Sequence, residues 1–225
     1  MKKRITAIAA ALSLMQPGQL LVVGNSVFLT SAGLMLSVAE NAYAKSADFY
    51  FERAHNKVRK EDYYGAISDY NKAIEINPRY ADAYYNRGYA KSKLEDYSGA
   101  IADYTKAIEI NPRYEKAYFN RAFAKSDLGD FSGAIADYTK SIMINPRSYP
   151  AYNNRGGAKR DLEDYSGAIA DYNKAIEINP RYSRAYYNRG HAKKFIGDEK
   201  GSCSDWEKAS SLGDKIAESF VRDFC

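Results

Sequence analysis

The sequence predicts an all-α chain: an α-α superhelix of five helical hairpins closed by a short C-terminal capping helix. Three observations predict it. Pro78, Pro112, Pro146 and Pro180 each sit in the string Asn-Pro-Arg, and they recur every 34 residues. An aromatic eight residues before each proline keeps the same beat, as Tyr70, Tyr104, Tyr138 and Tyr172. Trp206 then arrives one period later, with Asp214 where the next proline would stand. Such a period marks a solenoid, in which each unit buries its apolar face only against its neighbours.

Each half of the block is a helix. In residues 99–111 the apolar positions are Ala100, Ile101, Tyr104, Ala107 and Ile108, the stripe of an amphipathic helix. Residues 81–94 form the helix before it, with Ala83, Tyr84, Gly88 and Leu94 inward. Gly88 and Ala100 are small enough to let two antiparallel helices approach closely. Asn111-Pro112 ends the second helix, because the residue before proline is driven out of the α region.

The block resembles the tetratricopeptide repeat, which asks for a large aromatic at its fourth position and a small residue at the eighth. It also asks for Ala at the twentieth, an aromatic at the twenty-fourth, Ala at the twenty-seventh and Pro at the thirty-second. The unit 81–114 supplies Tyr84, Gly88, Ala100, Tyr104, Ala107 and Pro112. Further units run 47–80, 115–148 and 149–182, with lapses such as Ser141 for Ala. A fifth, 183–216, keeps Tyr186, Gly190, Trp206 and Ala209 but loses the proline. The resemblance implies a TPR solenoid. Two positions depart from the family. The seventh is always Arg (Arg53, Arg87, Arg121, Arg155, Arg189) and the eleventh always Lys (Lys57, Lys91, Lys125, Lys159, Lys193).

Arg and Lys four apart share one face of the first helix. Every unit also carries Asp just before the aromatic of its second helix: Asp69, Asp103, Asp137, Asp171 and Asp205. In a hairpin turning near residue 95, Arg87 falls opposite Asp103, which predicts a ladder of ion pairs, one per unit. A set of ligand-binding arginines is the alternative reading.

Residues 1–44 belong to another class. Lys2, Lys3 and Arg4 precede an apolar run from Ile5 to Met15, and a second run follows from Leu20 to Ala39. The stretch ends in Ala42-Tyr43-Ala44, a small-x-small cleavage site. The expectation is an export signal, leaving residues 45–225 as the mature repeat domain in the periplasm or another extracytoplasmic compartment. The alternative is a membrane anchor: Leu20–Ala39 is long enough to span a bilayer uncleaved, with the repeats still outside the cytoplasm. Only in that case does the protein meet the membrane.

Cleavage would take the formal charge from +5 to +3, since three basic residues and one acidic residue go. The remaining charges alternate in sign around each unit. A nucleic-acid reader needs a basic stripe interleaved with stacking aromatics, so no nucleic-acid partner is expected. Catalysis has little to stand on: the two histidines, His55 and His191, lie far apart in sequence, and no metal, phosphate-loop or nucleophile-elbow string occurs. The paired acids Glu95-Asp96 and Glu163-Asp164 fall at hairpin turns. The chain reads as a non-enzyme without cofactors or metals.

Cys203 stands where other units place Ile67, Ile101, Ile135 and Ile169, which suits a buried small hydrophobe. Cys225 is the last residue. The tail 214–225 puts Ile216, Ala217, Phe220, Val221 and Phe224 on one stripe, so it reads as the cap helix over Ile196, Cys203 and Trp206. If it folds back antiparallel, Cys225 comes within a turn of Cys203, and export permits a disulfide there.

The resemblance places a peptide-binding groove along the first helices, at positions two, five, six, nine and twelve of each unit. Position five reads Phe51, Tyr85, Phe119, Asn153, Tyr187; position nine reads His55, Tyr89, Phe123, Gly157, His191; position six reads Glu52, Asn86, Asn120, Asn154, Asn188. The rings of the first three units are expected to form one continuous wall, with an asparagine ladder beside it. Rings pack side chains and amides bond backbone, which suits an extended peptide. The family's carboxylate clamp is not matched, since only Asn86 and Lys116 of Phe51, His55, Asn86, Lys116 and Asn120 fit it. The expected function is a non-catalytic scaffold or adaptor that binds a segment or helix of another protein. A self-associating module and an accessory subunit of an envelope enzyme remain as alternatives, and the oligomeric state is open.

Overall fold

A computed structural model describes residues 46–225; the leader expected at 1–44 and the cleavage site expected after Ala44 lie outside the described residues. Eleven helices follow one another: α1 Ala47–Arg59, α2 Tyr63–Ile76, α3 Ala81–Lys93, α4 Tyr97–Ile110, α5 Glu115–Asp127, α6 Phe131–Ile144, α7 Tyr149–Asp161, α8 Tyr165–Ile178, α9 Ser183–Phe195, α10 Glu199–Ser211 and α11 Lys215–Phe224. No strand occurs among the described residues. The first ten pair into five hairpins, and each second helix packs on the first helix of the next unit. Successive first helices also touch one another, so they line the inner side of the curve.

The hairpins have a local cause. Asp62, Asp96, Asp130, Asp164 and Asp198 each cap a second helix, accepting the N–H of the glycine three residues on at 2.9 Å. The acids expected at a solvated corner are therefore split in role: Asp96 is a cap, while Glu95 takes the left-handed turn at φ 61°. The Asp cap starts α4 two residues earlier than the apolar stripe suggests. At the far end of α4 the Asn111 side chain accepts the N–H of Arg113 at 3.1 Å, turning the chain into the next unit.

The core is a column of alanines around one large ring per unit. Tyr70, Tyr104, Tyr138, Tyr172 and Trp206 are almost wholly buried. A Cβ on Gly88 would meet the Tyr104 ring at 2.9 Å, and one on Gly190 would meet Trp206 at 2.6 Å. Alanine fills the same place as Ala54 and Ala122 against the equally buried Tyr70 and Tyr138, so glycine marks a closer approach of ring and helix in the units that carry it.

The arginine ladder is present and does more than pair within a unit. Arg87 grips Asp103 with two bonds, Nε to Oδ2 at 2.9 Å and Nη2 to Oδ1 at 2.5 Å, and Lys91 adds Nζ to Oδ2 at 2.8 Å. The same three-part arrangement holds at Asp69, Asp137, Asp171 and Asp205. Burial alone would raise the Asp69 carboxyl, but its Arg53 and Lys57 donors outweigh that and hold it below the ordinary carboxylate range. Tyr84 is only half-buried; its ring lies against the Arg87 guanidinium rather than inward, with Cζ 5.4 Å from the centroid. With every charge spent this way, the arginines are structural and not a ligand set.

The cap forms as α11. Asp214 starts it by accepting the N–H groups of Ile216 and Ala217. Phe220 meets Trp206 at 5.1 Å between ring centroids, and Cys225 is joined to Cys203, with Cα atoms 5.6 Å apart. The stripe is narrower than its sequence suggests: Ala217 is buried, whereas Ile216 and Phe224 are more than half exposed. Ile196 is also exposed, because it caps α9 at the hairpin turn rather than facing the tail.

Candidate functional site: the inner groove

The inner face carries two adjoining hollows in the middle of the solenoid. One, of about 370 Å³, is lined by Tyr89, Ser92, Tyr104, Phe119, Asn120 and Phe123, among others. The next, of about 200 Å³, lies between Tyr85, Lys116, Phe119, Asn120, Ser148 and Pro150. They share Phe119 and Asn120, so a single extended segment could cross both. The second hollow has a sequence cause. In the first two units the last residue is a tyrosine that folds over the groove: Tyr80 stacks on Phe51 at 4.9 Å, and Tyr114 lies 5.0 Å from Tyr85. Their hydroxyls donate to Asp48 and Asp82 at 3.0 and 2.6 Å. The third unit ends in Ser148, which is too small to fill that place.

The expected wall of rings is not continuous. Among the described residues no ring contact joins Phe51 to Tyr85, Tyr85 to Phe119, or Tyr89 to Phe123. Each ring at position five instead leans down on the buried tyrosine of its own unit: Phe51 on Tyr70, Tyr85 on Tyr104, Phe119 on Tyr138, at 5.5 to 5.8 Å. These three rings are half core, and burial pushes the Tyr85 hydroxyl up from its ordinary value. Position nine is the open one. Phe123 is 46 % exposed, and Tyr89 lines the same hollow under the Lys93 ammonium.

The asparagine ladder is largely spent on internal bonds, some between units and some within one helix. Asn120 donates to the Tyr85 hydroxyl at 3.0 Å, and Asn188 donates to Asn153 Oδ1 at 2.9 Å. Asn154 accepts from Asn153 at 3.1 Å, and Asn86 donates to the Asp82 carbonyl of its own helix at 2.7 Å. Asn120 and Asn188 therefore pin neighbouring first helices together, and the ladder offers a guest only what remains. At the ends the face is taken up differently. His55 stacks on Phe51 with a buried Nδ1 that has no hydrogen-bond partner. Tyr187 and His191 lie against Phe220 of the cap, at 5.6 and 4.7 Å, so Tyr187 belongs partly to the cap contact rather than to an open groove.

Sequence reasoning missed three groups here. The unit-ending tyrosines escape helical spacing because they lie outside both helices. Asn71, Thr105, Thr139 and Asn173, one residue after each buried tyrosine, accept from the next unit's arginine. Position twelve changes from Val58, Ser92 and Ser126 to Arg160 and Lys194, a shift that was legible but unread. No cluster of metal-ligating side chains occurs among the described residues.

The structure is similar to several solved helical-repeat proteins. A MamA protein aligns with a TM-score of 0.71 at 23 % identity, covering 78 % of this chain and 96 % of that one. YrrB, described as a TPR protein with an unusual peptide-binding site, gives 0.71 at 18 %, covering 84 % and 96 %. The pilF protein of Pseudomonas aeruginosa gives 0.66 at 16 %, covering 79 % and 86 %. At these identities the likeness shows the fold. No curated protein matches the chain at a meaningful level. Models of the tetratricopeptide repeat match residues 81–114 and 103–136, and a TPR repeat model matches 57–95 and 156–194. With the 34-residue period, five hairpins and these matches together, the chain belongs to the tetratricopeptide-repeat family, whose members serve as protein-interaction scaffolds.

Proposed function

We propose that this protein is an exported adaptor that holds an extended segment of another protein along its inner groove, over the second to fourth units. The observation that carries this is the pair of hollows meeting at Phe119 and Asn120, with Phe123 left 46 % exposed beside them. An aromatic half in water beside a concave apolar surface is the kind of anchor that dominates peptide binding. Export fits the leader pattern, and the Cys203–Cys225 bond supports it, since disulfides persist in oxidising compartments.

The test is capture of a partner from the envelope fraction, followed by titration against Tyr89→Ala and Phe123→Ala. Each should weaken binding by about 2 kcal/mol, with melting temperatures unchanged because neither ring belongs to the core. Unchanged affinity in both variants would remove the groove from the reading. N-terminal sequencing of the native protein tests export: a start at Lys45 is expected, and a start at Met1 in the membrane fraction would favour the anchor.

A further inference from the structure

The last helix stands where a sixth unit would begin. In the fourth unit the ring of Tyr172 is closed over by the first helix of the next unit, whose Ala192 packs against it. Trp206 has no further unit to cover it. α11 takes that place with two rings, Phe220 at 5.1 Å and Phe224 at 6.1 Å between centroids, and Trp206 keeps no exposed surface. Phe220 also lies on Tyr187 and His191. These hold positions five and nine of the fifth unit, the positions that carry Phe119 and Phe123 in the third. α11 thus closes the core and, in the same contact, lies across the last unit of the groove.

Apart from those rings, the disulfide is what holds the helix there. α11 has 10 residues where each first helix has 13, and Ala217 is its one buried residue. The bond to Cys203 pins its far end at Cys225. Cys225 is exposed, so a thiol in solution can reach the bond, and exposed disulfides are the labile, regulated ones. A short helix with few buried groups is the kind of element that opens locally while the rest of a fold stays shut. The hairpin beneath does not depend on the cap. Arg189 holds Asp205 within the fifth unit and Asn173 of the fourth, so that unit stays docked when α11 moves.

We propose that the Cys203–Cys225 bond is a redox clasp that sets the length of the groove. Oxidised, it keeps α11 over Tyr187 and His191, and the groove ends at the fourth unit. Reduced, it lets α11 leave, and Tyr187, His191 and Trp206 lengthen the inner face by one unit. The reductant is a dithiol. One of its thiolates attacks the Cys225 sulfur, forming a mixed disulfide, and Cys203 departs as a thiolate and takes up a proton. The second thiolate of the reductant then displaces Cys225, which is protonated in turn, and the reductant ends as its own disulfide. The clasp stands on the fold alone; only its effect on a guest rests on the groove being the binding face.

Trp206 is the only tryptophan of the chain, so its fluorescence reads the cap without any partner protein, and failure here is separable from failure of the groove reading. The intact protein is titrated with dithiothreitol at neutral pH, and reduction is followed by thiol count. Emission should shift to the red and acrylamide quenching should rise about threefold as the buried ring meets water, while far-UV helicity falls by no more than α11 supplies. Reoxidation should restore both signals. A variant with Cys203→Ser and Cys225→Ser should be open from the start and indifferent to reductant. The apolar dye 8-anilinonaphthalene-1-sulfonate should bind the reduced protein about fivefold more strongly than the oxidised one, and Tyr187→Ala should remove most of that gain. Full reduction with unchanged Trp206 emission and quenching would overturn the clasp. Loss of helicity across the whole chain would overturn it too, since the cap would then be part of the global fold. A dye gain untouched by Tyr187→Ala would overturn the lengthening of the inner face.

Discussion

Arg87 Nη1 donates to Asn71 Oδ1 at 2.6 Å, and those two residues belong to different hairpins. The same guanidinium holds Asp103 of its own hairpin through its other nitrogens. One side chain thus closes a unit and latches it to the unit before. Arg121, Arg155 and Arg189 do likewise through Thr105, Thr139 and Asn173. The ladder adds a charge-assisted link between repeats to their apolar contacts and to the amide bonds of Asn120 and Asn188.

Asp103→Asn should therefore be severe. It leaves Arg87 and Lys91, both mostly buried, without their counter-charge, and the expected loss is about 3 kcal/mol. Arg87→Lys keeps the charge but loses the fork, so it should lower the denaturation midpoint less and broaden the transition as units uncouple. Urea melts of the two variants check this. An unaltered slope and midpoint in Arg87→Lys would count against inter-unit coupling.

Three hairpin turns carry avoidable strain. Glu61, Glu95 and Glu163 sit at φ of 60° to 62°, where the third and fifth units use Gly129 and Gly197. A side chain in that region costs roughly 1 kcal/mol that glycine does not. Glu95→Gly is expected to stabilise the protein by about that much, and Gly129→Glu to destabilise it similarly. Thermal melts decide the sign.

Reducing the protein should loosen its C-terminal end. The Cys203–Cys225 bond closes a loop with a sequence separation of 22, a size at which a disulfide contributes about 3 kcal/mol by restricting the unfolded chain. A dithiol reductant, or Cys225→Ser, should lower the melting temperature and raise hydrogen exchange in α11 first. Protection that stays uniform across α9 to α11 would show the bond to be idle.

The same end should be acid-sensitive. Burial, then the charges of Arg160 and Lys194, hold the His191 imidazole below its ordinary value. The unfolded chain takes up that proton near pH 6.5, while the folded protein resists it. More protons are bound in the unfolded state as pH falls below that value, so stability is full above it and drops toward the lowered folded pKa. His191→Phe, which copies Phe123 of the third unit, should flatten the pH dependence. A wild-type melting temperature constant from pH 7.5 to 5 would contradict this.

The period made the fold legible because every unit solves one packing problem with the same residues. Gly88 against Tyr104, or Gly190 against Trp206, can be read from spacing alone. The arginine ladder was legible as far as Asp103, since both partners lie in one hairpin. Its reach to Asn71 was not, because sequence spacing within a unit says nothing of the neighbour's offset. The groove was harder. Tyr85 has the spacing of a groove residue, yet Tyr114 leans on it from a loop and makes it half core. Tyr70 and Tyr172 read as ordinary core rings, and spacing does not tell that the hydroxyls of both are buried without a hydrogen-bond partner. The leader at 1–44 stays an expectation from pattern.

Ser148 gives the solenoid a soft place. Tyr80 and Tyr114 act as struts, each braced by a ring below and a carboxylate at its tip, and Tyr182 finds a ring at Tyr149. The third unit has no such brace. A load along the superhelix axis will flex at that junction first, while the first two units move as a stiff block. The spring opens where the second hollow lies, so groove width and elastic extension are set by the same missing side chain.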